Sequence, residues 1–140
     1  MDSSELFLKS IAKLNDKANK KLAEALSANK IEVSPEQLQV LIVLWELESC
    51  SQQEIANRVG RERATITRII DTMEKKKLVK RKASKLDKRA NLITLTKQSE
   101  EMKEKALAIK AENNNSLFTD IDGYELNMGQ MLLDRILENL

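Results

Sequence analysis

Three arginines and two threonines fall within eight positions, at Arg61, Arg63, Thr65, Thr67 and Arg68, with Ala64 among them. A guanidinium is a rigid fork that makes two parallel hydrogen bonds to guanine O6 and N7 or to a phosphate, and a threonine hydroxyl serves either partner. A second cationic group follows at Lys82, Lys85, Lys88 and Arg89, interrupted by Asp87. This is chemistry for holding a polyanion. Bond-breaking chemistry lacks its usual parts. The chain has no histidine and a single cysteine, Cys50, so the commonest general base and metal ligand are missing. No glycine-rich phosphate loop is present, and the carboxylates are scattered among lysines as helix surface pairs. We therefore expect no enzymatic activity, no cofactor and no metal.

The charge is unevenly spread. Ser51 to Lys97 carries 14 Lys+Arg against 5 Asp+Glu, whereas the remainder carries 10 against 17, so a net charge of +2 conceals a basic middle between acidic ends. Such a segment fits a surface that meets a polyanion. Charge alone fits a solvated lysine-rich face equally well.

Residues that act together must be carried on rigid elements. Leu6 or Phe7, Ile11, Leu14, Ala18, Leu22 and Ala25 step by three and four, which predicts an amphipathic helix from about Glu5 to Ala28. Ser34-Pro35-Glu36-Gln37 reads as a capping box opening a helix to about Glu48, apolar on nearly every face. Ser51-Gln52-Gln53-Glu54 reads as a second box, opening a short helix that Gly60 ends. Ser51 and Gln52, at that N-terminus, can donate to a phosphate while capping. The next helix, about Glu62 to Lys77, turns Ile66, Ile69, Ile70 and Met73 inward and Ala64 and Arg68 outward. The period then changes to two over Leu78–Lys82 and Asn91–Leu95, two strands around a basic loop. Thr96 caps a helix to about Leu117, fraying at Asn113–Asn115, and Asp122-Gly123-Tyr124-Glu125 opens a last helix to Asn139.

The expected fold is mainly α (α+β), with element order α-α-α-α-β-β-α-α. It is a winged helix-turn-helix over residues 34–96 within a single domain of 1–140. The flanking helices, 5–30 and 97–140, carry more apolar surface than one module of about 60 residues needs. They read as a shared interface of two subunits, with packing inside one chain as the alternative.

These pieces resemble the MarR family of bacterial transcriptional regulators. The likeness rests on Ser51 to Gly60, then Arg63-Ala-Thr-Ile-Thr-Arg-Ile-Ile-Asp71, Met73-Glu-Lys-Lys-Lys-Leu-Val79, Asp87-Lys-Arg89-Ala90 and Leu92-Ile-Thr-Leu-Thr96, in that order. The resemblance implies a homodimer that binds double-stranded DNA at an inverted-repeat operator, as a repressor modulated by a small-molecule effector. It implies base contacts from Ala64, Thr65 and Arg68, with Arg63 a further candidate. Arg89 would enter the minor groove, oriented by Asp87, whose other reading is ordinary turn chemistry. The family has a glycine before the first wing strand where this chain has Lys77, which costs on the order of 1 kcal/mol if the turn is left-handed.

An effector pocket is expected between the first helix, the Val40–Trp45 helix and the Thr96 helix, with no residues assigned. Cys50 lies outside the N-terminal helix where cysteine sensors of this kind carry theirs, and reads as a small packed residue. The acidic N-terminus lacks a signal-peptide pattern and the longest apolar run, Val40 to Trp45, is too short for a membrane span, so a cytoplasmic location and no membrane partner are expected. The competing reading is a dimeric protein–protein module that has lost specific DNA binding.

Overall fold

The computed structural model describes residues 1–83 and 91–140. Its elements are α1 (Ser3–Ala28), α2 (Pro35–Leu47), β1 (Ser49–Ser51), α3 (Gln52–Val59), α4 (Arg63–Lys75), β2 (Val79–Ala83), β3 (Asn91–Leu95), α5 (Lys97–Glu101), α6 (Lys103–Leu117) and α7 (Gly123–Leu137). This is the expected mainly helical, winged helix-turn-helix layout, with one strand more than expected.

Helix starts follow side-chain chemistry. Asp2, Ser34, Ser51, Thr96 and Asp122 each accept a hydrogen bond from the backbone N–H three residues on. Each such cap contributes about 1 kcal/mol. The boxes at Ser34 and Asp122 are complete. The one expected at Ser51 is only half made, because the Glu54 carboxylate pairs with Arg58 Nε at 3.1 Å instead of reaching back.

The core is built around α2, whose Leu38, Val40, Leu41, Val43 and Leu44 are all buried. Ile55 and Ala56 of α3, Ile66, Ile70 and Met73 of α4, Leu78, Val79 and Ile93 close on it, with Leu22 and Leu26 of α1 and Ala106 of α6 at its edge. Each large aliphatic side chain buried in this way contributes about 1.5–3 kcal/mol.

The sheet is antiparallel in the order β1-β3-β2, with Cys50 opposite Ile93 and Arg81 also opposite Ile93 on the other side. The reading by alternation found β2 and β3 and missed β1. Three residues are too few to display a period of two, and the third of them doubles as the cap of α3. The helix expected from Lys97 to Leu117 is divided at Met102, whose backbone stays in the right-handed helical region, so the interruption is a hitch of one residue. No fraying occurs at the asparagines: α6 continues to Leu117, Asn113 is buried, and its carbonyl accepts the Ser116 hydroxyl at 2.7 Å.

Two helix ends use lysine where glycine is commoner. Lys77 has φ 62°, with its N–H and that of Leu78 donating to the carbonyls of Glu74 and Met73 at 3.0 and 2.9 Å. Lys30 has φ 61°, with the same pair of bonds to Ser27 and Leu26. This 6→1 and 5→2 pattern closes a helix C-terminus. It shows that the turn before β2 keeps its left-handed shape despite the lysine. The turn is held from the far side by Thr96, whose hydroxyl donates to the Lys77 carbonyl at 2.8 Å, and by the buried Ser99 hydroxyl, which donates to the Leu78 carbonyl.

Candidate nucleic-acid interface

The short α3 ends at Gly60 in the left-handed region, φ 77°, and after two intervening residues α4 begins. A β-carbon on Gly60 would meet nothing within 4 Å. The requirement for glycine is therefore conformational, and it sets the angle between the two helices. Ile66, Ile70 and Met73 are fully buried and fasten α4 to the core. That fastening decides which residues face outward. Arg63, Ala64 and Arg68 are exposed, and Thr65 is half-buried.

The charges on this face differ in how far they are committed. Arg63, Arg68 and Lys82 form no ion pair among the described residues. Arg61 Nη1 lies 3.4 Å from Glu36 Oε1, with both side chains about half exposed. An exposed pair of this kind is worth about 0–1 kcal/mol, so Arg61 can exchange its carboxylate for a phosphate at little cost. Lys82 projects from β2 opposite Leu92 and is exposed. The expected wing contacts Lys85, Asp87, Lys88 and Arg89 lie outside the described residues.

Gln52 and Thr67 are turned inward. With the amide oriented to satisfy every partner, the Gln52 nitrogen donates to Thr67 Oγ1 at 2.7 Å, and its carbonyl accepts from Arg81 Nε and Nη2 at 3.1 and 3.2 Å. The Thr67 hydroxyl donates to the Arg63 carbonyl at 3.0 Å. Ser51 spends its hydroxyl on the cap of α3. Arg81, within the same basic stretch, pairs with Asp71 at 2.6 Å and Glu74 at 2.8 Å. No sequence signal pointed to this network, because its members come from α3, α4 and β2 and meet only in three dimensions.

Cys50 is buried in β1. Burial pushes its thiol above the ordinary cysteine value, and the nearby Glu54 carboxylate pushes further in that direction, partly offset by Arg58. No group of three or more Cys, Asp or Glu is placed to hold a metal ion among the described residues. A cavity of about 360 Å³ lies between α1 and α6, lined by residues that include Lys21, Ile109 and Asn113.

The sequence model of the MarR family matches residues 33–90. The "Organic hydroperoxide resistance transcriptional regulator" of Bacillus subtilis (strain 168) is 32% identical over 81 residues, 58% of this chain and 55% of the relative. The match thus spans about half the length of that curated relative. A mutant MarR from E. coli complexed with operator DNA superposes with a TM-score of 0.84 at 21% identity, covering 98% of this chain and 99% of that one. An S. aureus MepR–DNA complex gives 0.85 at 22% identity, covering 100% and 99%. At these identities the structural likeness shows a common fold over the whole chain.

Proposed function

We propose that the protein is a DNA-binding transcriptional regulator of the MarR family, a reading supported by the match of that family's model to residues 33–90. It acts as a homodimeric repressor in the bacterial cytoplasm, on an inverted-repeat operator. The observation that carries this reading is the outward face of α4. Arg63, Ala64 and Arg68 stand exposed on a helix whose opposite side is fully buried. A major groove admits one helix and offers a different pattern of donors and acceptors for each base pair. Arg68 takes the guanine-reading role, and Thr65 and Ala64 meet base edges or a thymine methyl. Arg61 and Lys82 bind phosphate. The wing residues Lys85 and Lys88 bind phosphate, and Arg89, oriented by Asp87, enters the minor groove. Support also comes from the two similar folds that were solved in complex with DNA.

The homodimer is supported by apolar surface that one chain leaves uncovered. Not one residue of α7 is buried, and Leu6, Leu8 and Leu14 of α1 are exposed as well. No helix among the described residues is long and apolar enough to cross a bilayer. An effector that modulates binding has a candidate place in the cavity between α1 and α6, two of the three helices expected to bound such a pocket. The Bacillus subtilis relative's name points to organic hydroperoxides, but the chemistry does not carry over. The single cysteine here is buried and its pKa is raised, whereas a peroxide sensor needs an accessible thiolate.

Selection of bound duplexes from a randomised DNA pool tests the reading. We expect enrichment of an inverted repeat. Recovery of no enriched sequence, with folded dimer present, would overturn sequence-specific binding and leave the protein–protein reading in its place.

A further inference from the structure

The network behind the outward face joins α4 to β2, the first strand of the wing. Arg81 of β2 places Nη2 2.6 Å from Asp71 Oδ1 and Nη1 2.8 Å from Glu74 Oε1, both on α4. Its side chain is only 19% exposed, although it sits within the most basic stretch of the chain. From the other side it donates to the carbonyl of Gln52, itself buried as the first residue of α3, and Gln52 donates to Thr67 of α4. One guanidinium therefore ties together α3, α4 and β2. Asp71 and Glu74 are the only two carboxylates in α4, and Arg81 takes both.

We infer that Arg81 is a positioning residue, which sets the angle between recognition helix and wing and does not itself touch DNA. The inference rests on the DNA-binding reading and adds a part to it. A planar fork can engage two carboxylates and an amide at fixed angles, which a lysine, with one nitrogen at the end of a flexible stem, cannot. Charge-assisted bonds at a mostly covered site are screened less than surface pairs and resist distortion. The consequence is geometric. A helix in the major groove and a wing in the minor groove engage together only if their relative placement is held to a fraction of an ångström. Loss of the clamp should therefore cost discrimination, while general attraction to DNA survives.

Two other roles are conceivable for an arginine here, and each predicts a different result. A phosphate contact would be rescued by lysine. A screen that merely hides two carboxylates from DNA would be rescued by removing those carboxylates. The test measures affinity of the full-length protein for its selected duplex and for a shuffled duplex, using Arg81→Lys, Arg81→Met and the triple variant Arg81→Met/Asp71→Asn/Glu74→Gln, with thermal melts confirming folding. For all three we expect the selected-to-shuffled affinity ratio to fall about tenfold, the scale of one lost charge-assisted bond. Arg81→Lys should bind the shuffled duplex within roughly twofold of wild type. A wild-type ratio in Arg81→Lys, or its restoration in the triple variant, would overturn the positioning role. If Arg81→Met does not fold, Arg81→Lys alone decides. Failure of the wild-type protein to select any duplex would be a different result, against the DNA-binding reading itself.

Discussion

At the scale of single residues, the proposed interface separates a reader from an anchor. Arg68 stands on the exposed face of α4, and Lys82 on the exposed end of β2. Arg68→Ala should cost about 1–3 kcal/mol per half-site and relax discrimination at one base position. Lys82→Ala should weaken selected and shuffled duplexes alike and lower the slope of log K against log salt by about one per half-site. Anisotropy titrations at several salt concentrations distinguish the two, and identical behaviour of the variants would refute the division. Cys50 yields a prediction of the opposite kind. Burial and then Glu54 raise its pKa and so disfavour the thiolate in the folded protein. Only the thiolate attacks alkylating agents. Iodoacetamide at pH 8 should thus modify the native protein at least about tenfold more slowly than the urea-unfolded chain, and comparable rates would show an accessible thiolate.

At the scale of elements, the turns that aim α4 and the wing depend on left-handed backbone, and the chain treats them differently. Gly60 supplies one without strain, while Lys77 adopts the same region with a β-carbon. A non-glycine residue there costs on the order of 1 kcal/mol. Lys77→Gly should therefore raise stability by about 0.5–1 kcal/mol, visible as a melting shift of roughly 2–4 °C. Gly60→Ala should lower it by a similar amount for conformational reasons alone, since its added methyl has open space around it. A destabilised Lys77→Gly protein would show that the lysine side chain contributes more than the backbone strain removes. Among these elements, α2, α4 and the caps were legible from apolar spacing and from the serine, threonine and aspartate residues at helix starts. β1 was not, because a strand of three residues is defined by its partner β3 and by nothing in its own composition.

At the scale of the whole molecule, the open question is what covers α7 and the first half of α1. Exposed apolar side chains on this scale, with Met131 at 64% and Leu137 at 61%, are what the proposed dimer interface would cover. Light scattering should give about twice the 15.9 kDa chain mass at micromolar concentration. Met131→Glu should shift the population toward monomer, and a stable wild-type monomer would remove the basis for a dimer. In the proposed dimer, two copies related by a two-fold axis would present two α4 helices to one face of a duplex. Selected sequences should therefore be inverted repeats with half-site centres about 10 bp apart. Direct repeats, or a spacing of half a helical turn, would be incompatible with that assembly.

By itself the sequence determined the local matters. Apolar residues at steps of three and four specified the helices, alternation specified two strands, and capping residues marked where helices begin. The order of these signals was enough for a winged helix-turn-helix, and the outward position of Arg68 followed from helical periodicity once Ile66, Ile70 and Met73 were assigned inward. These signals are legible because they act between residues a few positions apart. Tertiary structure alone decided how the polar side chains are used. Arg61, Arg68 and Arg81 are the same residue type in one basic stretch. Yet Arg61 holds an exposed pair, Arg68 is uncommitted among the described residues, and Arg81 is clamped between Asp71 and Glu74. A charge takes its role from its surroundings, and for Arg81 those surroundings are assembled from three elements whose relative placement no local pattern encodes.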